Sequence, residues 1–93
     1  MRVSKTGIPA IMPDNEMFYL AHIMKSLSVI DDNAELAISK SISGYGFTLR
    51  YSEDNLKDLL QKEIRAIHIT FGLDMEFSHF KDSPYITWRL LAR

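Results

Sequence analysis

The sequence predicts an α+β domain in two layers, with two helices packed on an antiparallel sheet of about four strands in the order α-β-β-α-β-β. Three observations lead there. Apolar residues recur every three or four positions in two segments, one following Asp14 and one following Ser52. Phe47, Leu49 and Tyr51 alternate with Thr48, Arg50 and Ser52, the period of a half-buried strand. Ile86, Trp88 and Leu90 alternate in the same way with Thr87 and Arg89.

Residues 1–13 read as an extended N-terminal arm, because Gly7, Pro9 and Pro13 oppose a regular helix. Residues 14–93 form the domain. In the first helix Asp14 stands where an N-cap belongs and Glu16 favours the positive end of the helix dipole. Met17, Leu20, Ala21, Met24 and Leu27 make its apolar stripe, which Phe18 and Ile23 widen. Asp31, Asp32 and Asn33 stop it.

Residues 34–43 fit two patterns. As a strand, Leu36, Ile38 and Ile42 share one face and Ser39, Ser41 and Ser43 the other. As a helix, Asp32 and Glu35 have capping-box spacing. The serine- and isoleucine-bearing composition favours the strand. Gly44-Tyr45-Gly46 then becomes a three-residue hairpin loop whose glycines supply positive φ, with Tyr45 at its tip.

Ser52 is placed as the cap of the second helix, whose stripe is Leu56, Leu60, Ile64, Ile67 and Phe71 and whose end is Gly72. The β-branched run from Ile64 to Phe71 also suits a strand that begins near Glu63. Met75 and Phe77 alternate with Glu76 and Ser78, and residues 81–84 turn the chain into the last strand.

Composition excludes several functions. The chain has 93 residues, enough for one domain, and 46% of them are hydrophobic, within the globular range. There is no cysteine, hence no disulfide scaffold, zinc finger or thiol nucleophile. A net charge of −1 lacks both the basic footprint of a DNA binder and the acidic excess of a DNA mimic. No apolar run approaches bilayer length, and Pro9 and Pro13 interrupt the one candidate leader, so a cytoplasmic protein is expected.

No catalytic or cofactor motif emerges. Gly-Tyr-Gly precedes a strand and lacks the spacing of a dinucleotide or phosphate loop. His22, His68 and His79 lack metal-ligand spacing, and no nucleophile elbow surrounds the serines. An enzyme would need a pocket joining His68 and His79 to a carboxylate.

The leading reading is therefore a small non-catalytic protein-interaction module, a regulator, adaptor or inhibitor that docks on a partner and needs no cofactor or metal. Its expected contacts are Phe80, Tyr85, Tyr45 and Arg89, since aromatic residues and arginine concentrate binding energy at interfaces. The hairpin edge and the N-terminal arm also permit pairing with a second copy, as in a homodimer. The alternative is a winged-helix-like nucleic-acid regulator, with residues 34–43 helical and Lys81, Arg89 and Arg93 on phosphate. The acidic start of its recognition helix, Glu53-Asp54, opposes that reading.

If Phe80 and Tyr85 are exposed contacts, Phe80→Ala with Tyr85→Ala weakens partner binding and leaves the circular dichroism spectrum unchanged. A collapsed spectrum would make them core residues.

Overall fold

Residues 35–41 settle as a strand, because alternate side chains there find apolar partners. Leu36 and Ile38 are buried, while Glu35, Ala37 and Ser39 are exposed. The structure is a computed structural model and describes residues 1–8, 14–42, 44–78 and 84–91. Its elements run β1 (Arg2–Thr6), α1 (Asp14–Ile30), β2 (Glu35–Ser41), β3 (Gly44–Arg50), one 3-10 turn (Asp54–Leu56), α2 (Lys57–Phe71), β4 (Met75–Ser78) and β5 (Tyr85–Leu91).

Among the described residues the domain is α+β with two helices, as the sequence predicts, but the sheet is five-stranded and mixed, in the order β1-β2-β3-β5-β4. The extra strand comes from the first half of the N-terminal arm. β1 pairs in parallel with β2, and the other three pairings are antiparallel. Parallel neighbours need a crossover, and α1 provides it. Because β5 is antiparallel to both β3 and β4, those two run parallel on either side of it. α2 is the crossover between them. Pro9 and Pro13 lie outside the described residues.

A winged-helix order would require a helix where β2 stands. The structure therefore removes the fold on which the nucleic-acid alternative depended. A strand beginning near Glu63 is likewise ruled out, since α2 continues through Phe71.

Both helices cover the same face of the sheet. α1 contributes Tyr19, Leu20, Ile23 and Leu27 to the core, and α2 contributes Leu60, Ile64 and Ile67. Strand residues Leu36, Ile38, Phe47, Leu49, Ile86 and Trp88 meet them from below. Full burial of side chains of this size contributes about 1.5–3 kcal/mol each. Trp88 lies flat on Phe47, with ring centroids 5.0 Å apart and planes 5° from parallel. The α1 stripe is rotated from the expected one. Tyr19 is buried, whereas Met17, Phe18 and Ala21 face outward.

Tyr19 is admitted to the core because its hydroxyl has partners there. The Trp88 Nε1–H donates to it at 3.4 Å, and it donates in turn to His68 Nε2 at 3.0 Å. His68 Nδ1–H then donates to the Ile64 carbonyl at 2.6 Å. This assignment satisfies all three groups, and no buried side-chain polar atom among the described residues lacks a partner.

Three local expectations change. β2 ends at Ser41 and β3 begins at Gly44, so Tyr45 lies within β3 and not at a loop tip. Gly44 has φ +124°, but Gly46 does not adopt positive φ. Ser52 does not cap a helix. Its N–H and hydroxyl both donate to the Asp31 carboxylate, at 2.8 and 2.6 Å, tying the end of α1 to the end of β3. Gly72 does end α2, in the left-handed conformation at φ 64°.

Asp31 is 3% exposed and serves two junctions, since its own carbonyl also accepts the Ala34 N–H. Asp31→Ala is expected to lower stability by about 1–3 kcal/mol, the scale of losing hydrogen bonds to a charged group. Urea denaturation followed by circular dichroism measures it, with a smaller loss expected for Ser52→Ala.

Candidate functional site

The sequence-derived contact residues do not share one surface. Phe80, Lys81 and Arg93 lie outside the described residues, as does His79. Tyr85 opens β5 on the helix-free face, 40% exposed and opposite Arg50. Arg89 is exposed on the same face, between Gly46 and Glu76.

Tyr45 points the other way, towards α1, and is buried. Its hydroxyl donates to Glu16 Oε2 at 2.6 Å, and Lys40 Nζ donates to both, at 3.3 and 3.4 Å. The Lys40 ammonium also sits 4.4 Å from the centre of the Tyr45 ring. Burial, then the neighbouring Glu16 carboxylate, push the Tyr45 hydroxyl above its ordinary pKa. The hydrogen bond to Tyr45 raises that of Lys40. Tyr45 thus fastens the first turn of α1 to the sheet and offers no hydroxyl to a partner.

His68 is equally committed. It is 3% exposed, and both ring nitrogens are engaged inside the core. It has no free lone pair for a substrate or metal. Among the described residues, no group of three or more His, Cys, Asp or Glu side chains converges to hold a metal ion.

Among the described residues the helix-free face of the sheet is open, and its centre is paved with small side chains. Ser4, Ala37, Thr48, Thr87 and Ser78 follow one another across the five strands. A second row holds Arg2, Glu35, Arg50 and Tyr85, charged side chains of alternating sign ending on an aromatic ring.

A larger, more open hollow lies where α2 ends and the chain turns into β4. It is an open groove of about 780 Å³, and its lining includes Arg65, Ile69, Leu73, Met75, Glu76 and Phe77. Local chemistry explains its shape. Gly72 stops the helix in a left-handed turn, and the Leu73 N–H closes that turn on the His68 carbonyl at 3.0 Å. The chain then enters β4, which is an outermost strand of the sheet. The Arg65 guanidinium covers the Phe77 ring at 4.9 Å from its centre, while Ile69 stands 82% exposed beside it.

An outermost strand leaves one row of backbone N–H and C=O groups without a strand partner. Those groups can pair with an extended polypeptide, while the half-buried Met75 and Phe77 meet its alternate side chains.

The sequence does contain a signal for this site. Ile69 falls off the Leu60–Ile64–Ile67 stripe of its own helix, and an apolar residue there has no core to enter. The position of β4 at the sheet edge has no such signal, because strand order is not written in local periodicity.

Compared with known proteins, the chain matches no family model, and the search of curated proteins finds no relative. Among the described residues, no helix is long and apolar enough to cross a membrane.

His68 makes the fold sensitive to pH. Burial lowers its pKa below the ordinary 6.5, although the bond to the Ile64 carbonyl works the other way. The groups against it are the Tyr19 hydroxyl from α1 and, through that oxygen, the Trp88 indole from β5. A base with a depressed folded pKa is protonated more readily when unfolded. Stability is thus fully present above the unfolded value and is lost as pH falls through it towards the folded one. The urea midpoint is expected to fall between about pH 7 and pH 5. His68→Leu should flatten that dependence and lower stability at neutral pH by about 1–3 kcal/mol. An unchanged pH profile in the variant would assign the dependence to other groups.

Proposed function

We propose that the protein is a small non-catalytic interaction module, of regulatory, adaptor or inhibitor type, that binds an extended segment of a partner polypeptide along the outer edge of β4. One observation carries this reading: an outermost strand with half-buried Met75 and Phe77 borders an open groove in which Ile69 is largely exposed. Main-chain pairing would supply affinity. The groove lined by Ile69, Leu73, Met75 and the Arg65-covered Phe77 would supply specificity through the side chains of the bound strand.

Tyr85 and Arg89 belong to the helix-free face and are assigned to the rim of the contact. The Tyr45 hydroxyl is assigned a structural role. The reading also places the module in the cytoplasm, with which its cysteine-free composition is compatible.

The test joins capture to mapping. Tagged protein is used to capture partners from native lysate with and without nuclease, and the same is done with Ile69→Lys. Because Ile69 is exposed, the substitution should leave the fold unchanged. Capture that survives nuclease, is lost with Ile69→Lys and slows hydrogen exchange at Met75–Ser78 is the expected result. Capture that vanishes with nuclease, or that ignores Ile69→Lys and leaves β4 unprotected, would overturn the proposal.

A further inference from the structure

We infer that one strand accepted at β4 is β1 of a second copy, so that the chain associates head to tail; this rests on the reading of β4 as a docking edge. β1 and β4 are the two outermost strands, and they carry opposite charge. β1 exposes Arg2 and Lys5, and β4 exposes Glu76. Charged edge strands resist pairing with their own kind. Two β1 edges bring cations together, and two β4 edges centred on Glu76 set carboxylate against carboxylate. β1 against β4 avoids both.

Strand direction agrees. β1 is parallel to β2, and three successive antiparallel pairings follow, to β3, β5 and β4. β4 therefore runs opposite to β1. A second copy set beside the first in the same orientation, with its helices on the same side, brings its β1 antiparallel to β4.

Among the registers that keep side chains on their proper faces, charge then favours one alignment. With Arg2 of the second copy opposite Glu76, its Val3 stands opposite Met75. On the helix-free face the row across the seam reads Arg89, Glu76, then Arg2, Glu35 and Arg50 of the second copy. The charges alternate in sign, continuing pairings already present within each copy. Opposite charges directly across strands stabilise a pair and like charges destabilise it. On the helix side the same register reads Leu90, Met75, then Val3, Leu36 and Leu49 of the second copy, which is apolar throughout. Sliding by two residues sets Val3 against Phe77, which stays apolar, but puts Lys5 against Met75, Arg2 against Ser78 and Ser4 against Glu76, so the charge match is lost. Sliding by one turns every side chain to the wrong face. The two patches differ, so the contact is heterologous and closes into a ring or continues as a filament.

Sedimentation velocity on the purified full chain, across a concentration series at low salt, tests this. The wild type is expected to form larger species as concentration rises. Arg2→Glu and Glu76→Arg should each weaken association by roughly tenfold. Mixing the two variants should restore it, because each edge then meets its opposite, and so should combining both changes in one chain. Circular dichroism and urea midpoints establish that each variant folds. A wild type that stays monomeric, single variants that associate as strongly as wild type, or a mixture no stronger than its components would each overturn the inference. A monomeric wild type with persisting Ile69-dependent capture of another protein would sink self-association alone and leave the docking edge standing.

Discussion

A single chain of buried hydrogen bonds joins the sheet and both helices inside the core of this protein. Trp88 on the sheet, Tyr19 on α1 and His68 on α2 meet inside the core, and the chain ends on the Ile64 carbonyl. Apolar surfaces alone tolerate many helix rotations at similar cost. A buried hydroxyl without a partner does not, because its desolvation is uncompensated. The polar chain therefore fixes which face each helix turns to the sheet. That choice accounts for the outward placement of Phe18 and Met17. It also fixes α2, whose far end, with Ile69 and Gly72, forms one wall of the groove beside β4.

The parts of the fold legible in the sequence are those governed by local period. The alternation around Phe47 and Leu49 reports β3, and Leu60, Ile64 and Ile67 report the buried side of α2. What escapes depends on distant partners. Residues 2–6 carry only one strongly apolar side chain, Val3, and become a strand because β2 lies beside them. Ser52 looks like a cap until Asp31, far away in sequence, is seen to hold both its donors. Tyr19 misses the simple stripe because its place is determined by Trp88 and His68 and not by helical spacing. The candidate site is half legible. Ile69 is visible as an apolar residue off its stripe, whereas the edge position of β4 follows from the sheet order alone.

The two faces of the sheet divide the work. One carries the helices and the entire apolar core. The other offers small and charged side chains in ordered rows and stays open among the described residues. In the proposed function the decisive element is neither face but the boundary between them, where backbone polar groups of β4 lie outside the ladder. A site of this kind demands little of composition. It needs a short outer strand, a helix that stops early enough to leave room beside it and a few half-buried apolar side chains. A near-neutral, cysteine-free chain is sufficient.

The parallel pairing of β1 with β2 has a consequence for how the molecule assembles and opens. An antiparallel pair such as β2 and β3 closes locally, between neighbouring stretches of chain. β1 can dock only after β2 exists, and the whole of α1 intervenes. Its loop-closure entropy is larger, and its pairing belongs to the non-local class that forms slowly. The strand is also mostly exposed, with Val3 as its principal apolar anchor. A strand that docks late and exposes most of its side chains is expected to open at lower cost than the central strands. When β1 lifts away, the amides and carbonyls of β2 become the new border of the sheet, above buried Leu36 and Ile38. The protein thus contains a latent second edge, where Glu35 and Lys40 offset one another in charge. Exposing that edge breaks none of the hydrogen bonds of the central polar chain, which run between Trp88, Tyr19, His68 and Ile64.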